Sequence, residues 1–416
     1  MLQYLHLKNV GIAPDMRVDW AERLNLITGD NGLGKSFLLD IAWWALTRTW
    51  TATPALPPPG RTKASIEYHV KGSRGISQPI LSEFRRSDAS WPQKAQRPTM
   101  PGIVVYIRID GGFSVWDPAR NYWRTDADRP AAYHFQAHEV WDGLDVNGQR
   151  VCEGLERDWV NWQEGRKPQF QVLEKVLDAL SPAGERLRVG QPERVFLGEG
   201  RERPTLLVGS QTVPVALASA GVRRMLALAY FLVWAWHEHQ MAAKLLGKKP
   251  EDRFVILFDE PETHLHPRWQ RTILPSLLQA VDLLRGSVKS ATQVFVATHA
   301  PLVAASLEPV FDQHSDEIHR LALENGVVTI RSGGWAKQGD ATNWLVSETF
   351  GLEQARSLEA ERAIEAAEAF MRGEKPLPQG LDSQKLIHAR LQKLLPAHDC
   401  FWPRWLVQTK AIKGAR

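Results

Sequence analysis

Gly29-Asp30-Asn31-Gly32-Leu33-Gly34-Lys35-Ser36 fits the phosphate-loop pattern G-x-x-x-x-G-K-[ST]. Glycines at 29, 32 and 34 let the backbone curl round phosphate oxygens with N–H groups pointing inward. Lys35 would put a positive charge on the β- and γ-phosphates, and the Ser36 hydroxyl would reach Mg²⁺. A second stretch, Phe254–Glu260, is an apolar run ending in two acids. Asp259 then falls at the carboxyl end of a strand, where it can hold Mg²⁺ directly or through water. Glu260, one residue on, is placed to take a proton from an attacking water. A third stretch, Gln293–His299, is another apolar run ending in a histidine that can hydrogen-bond a γ-phosphate or that water. Together the three describe ATP and Mg²⁺ as ligands and phosphate-bond hydrolysis as the chemistry.

These groups need a scaffold that brings distant residues to one edge. Leu24–Thr28 predicts a short strand, and Lys35–Trp50 a helix with Phe37, Leu38, Ile41, Ala42 and Ala45 on one face. Strand, loop and helix are the context a phosphate loop requires. Continuous apolar strands alternating with helices predict a mainly parallel sheet buried on both faces. Ala220–Leu246 predicts a long buried helix. Pro267–Arg285 predicts a helix broken or kinked at Pro275. Asn325-Gly326 between Ile318–Leu323 and Val327–Ile330 predicts a hairpin. Leu352–Arg372, ending at Gly373, and Leu381–Leu395 predict two helices near the C-terminus.

From Arg61 to about Gly200 the pattern is irregular. Strand-like Ala64–Val70 and Ile103–Ile109 alternate with turns, and Val151–Glu164 and Phe170–Leu180 look helical. Arg85, Arg86, Lys94, Arg97 and Arg108 fit a solvated basic face better than a phosphate track. The expected organisation is an ATPase core of 1–50 and 201–335, an inserted α+β lobe over 51–200 and a helical C-terminal region over 336–416.

Composition narrows the class. The chain has 416 residues and a net charge of +4, which permits nucleic-acid contact without arguing for it. Seventeen tryptophans spread along the chain suit packing rather than one cofactor cage. Cys152 and Cys400 have no metal-type spacing and fit two reduced thiols. Met225–Trp236 is the longest apolar run and is too short to span a bilayer. The N-terminus has no apolar leader pattern. A cytoplasmic protein with no membrane partner is expected.

Ser219-Ala220-Gly221 opens the long apolar helix, and a serine with a small turn at a helix N-terminus makes an anion site. The order phosphate loop, Ser-x-Gly helix start, apolar-Asp-Glu and Thr-His resembles the ABC-type ATPase head of the SMC/RecF/OLD-like branch. It is most similar to ATPases of bacterial antiphage defence modules. In that group the acidic strand runs into Glu-x-His-Leu-His-Pro, matched here by Glu262–Pro267, and a Thr-His-Ser/Ala-Pro switch matches Thr298–Pro301. The resemblance covers about 1–50 and 205–305.

The resemblance implies that Gly29, Asn31, Gly32, Gly34, Lys35 and Ser36 bind ATP, with Ser36 and Asp259 on Mg²⁺ and Glu260 and His299 catalytic. It implies that Ser219 and Gly221 stand for the Leu-Ser-Gly-Gly-Gln signature, capping the γ-phosphate held by a second subunit. Ala218, Ala220 and Val222 depart from that motif. Glu262–His266 would be the subunit-crossing D-loop. A glutamine loop is not identifiable, with Gln78, Gln93 and Gln96 the candidates, and His264 and His266 lack partners at metal-ligand spacing. Residues 306–416 show no Toprim-like acids. The expected function is an ATPase that forms a homodimer or higher homo-oligomer around ATP and regulates a separate nuclease or toxin in an antiviral complex, of Septu-like kind with an HNH-type nuclease. The alternative is a RecF-like repair ATPase that clamps duplex DNA. A transporter subunit fits least.

Overall fold

The structure, a computed structural model, describes residues 1–11, 13–61, 63–72, 78–92, 100–121, 130–285 and 291–414. It divides into two compact units, Met1–Trp344 and Leu345–Arg416. In the first, an eight-stranded sheet runs in the order β17-β16-β3-β15-β14-β6-β7-β8. Its members are β3 (Leu24–Thr28), β6 (Ile103–Ile107), β7 (Phe113–Trp116), β8 (Tyr133–Phe135), β14 (Phe254–Asp259), β15 (Thr292–Ala297), β16 (Asp316–Glu324) and β17 (Val327–Ser332). The central five, β16, β3, β15, β14 and β6, are mutually parallel, and antiparallel strands extend both ends. Every residue of β3, β6 and β14 is buried, as parallel strands covered on both faces must be. The fold class is α/β with a mainly parallel sheet, as the alternation implied.

A second, antiparallel sheet has the order β2-β1-β4-β5, formed by β1 (Leu2–Val10), β2 (Ala13–Asp19), β4 (Ser65–Val70) and β5 (Ile80–Glu83). Helix α1 (Lys35–Thr47) lies between the two sheets. It packs on β1 and β4 on one side and on β6, β14 and β15 on the other. Trp43 and Trp44 are fully buried there with Leu39 and Ile41. Gln293 of β15 stitches the sheets together, accepting from the Leu2 N–H and donating to the Leu2 carbonyl, both at 2.8 Å.

Strands from the 51–200 stretch take part in both sheets. β4 and β5 complete one sheet and β6–β8 complete the other. The later part of that stretch supplies a small lobe within the first unit: α2 (Ala137–Asp142), β9 (Leu144–Val146), β10 (Gln149–Cys152), α3 (Leu155–Glu164), α4 (Pro168–Leu180) and β11 (Arg188–Val189). β11 joins β12 (Thr205–Val208) and β13 (Gln211–Pro214) in a small sheet that leads into α5 (Ala220–Leu245). The lobe packs on α5, where Trp162 stacks on Tyr230 with ring centres 5.6 Å apart. No helix among the described residues is long and apolar enough to cross a membrane.

The predicted break near Pro275 falls earlier. α6 (Pro267–Gln270) ends and α7 (Ile273–Arg285) begins before it, so Pro275 sits in a first helical turn where its missing N–H costs nothing. Asn325 and Gly326 both take positive φ, 51° and 78°, and join β16 to β17 as a hairpin. After β15 come α8 (Pro301–Ser306) and, past β17, α9 (Ala341–Val346). Residues 338–344 belong to the first unit: Glu308 accepts from the Gln338 and Gly339 N–H groups and the Trp344 indole. The second unit therefore begins at Leu345.

Beyond the end of α9, the described residues of the second unit form three helices, α10 (Leu358–Arg372), α11 (Gln384–Leu394) and α12 (Phe401–Gly414). α10 begins at the Ser357 N-cap, six residues later than its apolar pattern implied, and ends at Gly373 with φ 74°. Ala363, Ile364 and Ala367 meet Ile387, Leu391 and Trp405 in its core.

Candidate functional site

Three loops of the site, after β3, β14 and β15, leave the carboxyl edge of the parallel strands. The first follows β3. Gly29, Gly32 and Gly34 take φ of 133°, 80° and 90°, values open to glycine. At Gly29 a Cβ would stand 2.5 Å from the Leu321 carbonyl of β16, so the strand and loop pass too close for any side chain. At Gly32 a Cβ would meet nothing, and that face of the loop is open. Gly34 caps α1, whose first turn carries no acidic side chain, so its N–H groups keep their attraction for an anion. Lys35 is buried, with Nζ donating to the carbonyls of Gly29 (2.7 Å) and Asp30 (3.1 Å). Burial lowers its pKa, opposed by the charges of Glu260, Asp259 and Glu262.

Asp259 ends β14 and is 2% exposed. The Ser36 hydroxyl lies close enough to its carboxylate to lower its pKa, while Oδ1 has no hydrogen-bond partner among the described residues. Burial pushes its pKa up to about 6; the nearby Ser36 hydroxyl pulls the other way, and Glu260 and Asp40 add to the rise. Asp40, on the next turn of α1, is held by the Thr51 hydroxyl at 3.1 Å and by Tyr106 of β6. An orphaned carboxylate oxygen beside a hydroxyl is an all-oxygen donor set that suits a hard divalent cation.

Glu260 takes φ 45°, a strained conformation for a residue with a Cβ. Two contacts hold it there. Its N–H donates to the Ala297 carbonyl at 2.9 Å, and Arg224 Nη2 donates to the carbonyls of Asp259 and Glu260 at 3.2 and 3.1 Å. His299, 48% exposed, has Nδ1 3.3 Å from Glu260 Oε1 and 3.3 Å from Glu262 Oε1. Glu262 Oε1 also accepts from the Thr298 hydroxyl (2.7 Å) and the His299 N–H (2.9 Å).

The expected phosphate-loop residues, Asp259, Glu260 and His299 thus share one site. Ser219 and Gly221 stand apart: among the described residues none of their contacts reaches the loop. Ser219 is exposed and caps α5, accepting from the Val222 N–H at 3.4 Å. Gly221 packs on the segment after β14, where a Cβ would lie 2.6 Å from the His264 carbonyl. His266 accepts from the Arg268 N–H at 3.3 Å and caps α6.

Sequence reasoning missed Arg224 and the role of Glu262. Arg224 had a signal, a cation one helical turn after Ser219. Of the glutamine-loop candidates, Gln93 and Gln96 lie outside the described residues. Gln78 is exposed ahead of β5 in the other sheet. The strand flanking β14 is β6, and the turn after it carries Arg108 and Asp110.

Comparison with known proteins adds the following. Residues 207–305 match the family model described as "AAA domain, putative AbiEii toxin, Type IV TA system". That stretch contains Ser219, Asp259, Glu260, Glu262 and His299 but not the phosphate loop. Among solved structures, the SMC head domain from Thermotoga maritima is 16% identical, covering 80% of this chain and 99% of that one, with a TM-score of 0.39. An SMC head bound to the C-winged helix domain of ScpA is 15% identical over 81% and 98%, with a TM-score of 0.44. The recombination mediator protein RecF is 12% identical over 79% and 98%, with a TM-score of 0.39.

Proposed function

We propose that the chain is a Mg²⁺-dependent ATPase that works as a homodimer or higher homo-oligomer. Its nucleotide cycle would control a separate effector, a nuclease or toxin, in bacterial antiviral defence. The observation that carries the ATPase reading is the buried Asp259. Its unpartnered Oδ1 lies beside Ser36, at the mouth of a loop whose lysine and helix N-terminus both favour phosphate. The defence reading rests on the Glu262–Pro267 and Thr298–Pro301 motifs and on the description of the family model matched over 207–305.

In this reading the loop N–H groups and the start of α1 hold the β- and γ-phosphates, and Lys35 exchanges two loop carbonyls for their oxygens. Ser36 and Asp259 would hold Mg²⁺, which when bound supplies positive charge to the phosphates. Water attacks the γ-phosphorus, the bond to the ADP oxygen breaks, and the water proton passes to Glu260. His299 hydrogen-bonds the γ-phosphate and is kept near Glu260 by their contact at 3.3 Å. The Ser219 end of α5 in a second copy would complete the site from the open side.

Glu260→Gln tests the assignment. It should bind MgATP normally, accumulate as the nucleotide-bound dimer, and turn over about 10²–10⁴-fold more slowly. Normal turnover would place the base elsewhere. Purification with the products of neighbouring genes tests the effector reading. Co-elution of a nuclease or toxin supports it, whereas ATP-dependent duplex binding, steep in salt and with nothing co-eluting, would replace it by the RecF-like clamp.

A further inference from the structure

We infer that Glu262 is a positioning residue for His299: one buried carboxylate ties the segment after β14 to the segment after β15 and sets where the imidazole points. The catalytic consequence rests on the ATPase reading above; the tie itself does not.

Three groups converge on Glu262 Oε1. The Thr298 hydroxyl and the His299 N–H donate to it at 2.7 and 2.9 Å, and the His299 ring nitrogen Nδ1 lies 3.3 Å away. Thr298 Oγ1 in turn accepts from the Ala300 N–H at 3.1 Å. One carboxylate therefore registers three consecutive residues at the entry to α8. The other oxygen, Oε2, is buried with no partner among the described residues, in a side chain only 5% exposed. A buried, half-satisfied acid costs stability, and a neutral acceptor such as glutamine would tie the same N–H and O–H groups. What the charge adds is its place beside the imidazole, the arrangement by which a second carboxylate orients a working histidine.

Glu262 is not a rival to Glu260 as base. Its near oxygen is committed to two donors and its side chain is closed to water, whereas the Glu260 side chain retains 19% exposure. The tie also has reach. Two residues on, His264 takes φ 63° and presents its carbonyl to Gly221 at the start of α5. The position of His299 and the position of that helix start are thus referred to one anchor.

The test uses the full chain as Glu262→Ala, Glu262→Gln, His299→Ala and the Glu262→Ala/His299→Ala double variant. Hydrogen exchange reads the tie without activity. In Glu262→Ala the amides of His299 and Ala300 should exchange about tenfold faster, the loss of one bond to a charged acceptor, while the Thr298 amide, held by the Ile27 carbonyl, should change little. Glu262→Gln should stay near wild type there, and unchanged exchange in α1 certifies the fold. Hydrolysis reads the consequence: in Glu262→Ala kcat should fall about 10²-fold with KM for MgATP little changed, and the double variant should be no slower than His299→Ala. Wild-type exchange at His299 and Ala300 in Glu262→Ala overturns the tie. Fully additive losses in the double variant overturn action through His299. Absence of any ATP hydrolysis by the wild type would sink the ATPase reading instead, and the exchange result would still decide the tie.

Discussion

Asp259→Asn should make the nucleotide-free protein more stable while destroying its response to Mg²⁺. The carboxyl is 2% exposed, and burial raises its pKa from 3.8 to about 6. In the unfolded chain the ordinary value applies, so the folded state binds the extra proton between those two values. Stability from this group therefore falls as pH rises through that window, and the penalty is complete above it. A rise of about two units corresponds to about 3 kcal/mol, an upper bound because the asparagine also leaves a buried amide to satisfy. Urea unfolding in EDTA should show Asp259→Asn more stable than wild type by about 1–3 kcal/mol at pH 8, with the difference shrinking towards pH 4. Adding MgATP should reverse the order. The wild type gains about 2.7 kcal/mol at a hundred times its Kd, and the variant gains little. A difference that is absent at pH 8, or flat from pH 8 to 4, would refute the claim that this carboxylate is held at a cost for a cation.

Arg224→Leu removes the guanidinium that grips the carbonyls of Asp259 and Glu260, so kcat should fall at least tenfold while MgATP affinity stays within a few-fold; steady-state kinetics beside equilibrium nucleotide binding checks it. Unchanged kcat would mean that Glu260 keeps its φ of 45° without help. Ser219→Arg should bind ATP and fail to hydrolyse it, and mixing it with the binding-dead Lys35→Ala should restore partial activity. A mixed dimer that stays inactive would remove the case for a site shared between copies.

The candidate site was legible because each of its segments ends a continuous apolar strand: the loop after Leu24–Thr28, Asp259 after Phe254–Phe258, and His299 just past Gln293–Ala297. Asn325-Gly326 was legible for the same local reason, since both residues must take positive φ. What the sequence hid is tertiary. Ile103–Ile107 reads as a strand, but nothing in its neighbourhood says that it pairs with Phe254–Phe258 rather than within a separate lobe. Glu262 looks like part of a loop motif; its reach back to Thr298 depends on β14 and β15 being adjacent. Gly221 resembles a residue kept for phosphate contact, yet the space it lacks is taken by the His264 carbonyl.

The place of β3 in the sheet bears on how the protein comes to exist on the ribosome. The strand that launches the phosphate loop is residues 24–28, yet its two neighbours are β15 at 292–297 and β16 at 316–324. Gly29 is shaped by the carbonyl of Leu321, which emerges near the end of the first unit. A nascent chain therefore carries the phosphate-loop motif without both sheet neighbours of β3 until β16 has been made. Closing such distant pairs makes assembly slow and leaves early apolar strands waiting for partners. Premature termination before β16 would yield a polypeptide that contains the whole loop sequence and binds no ATP.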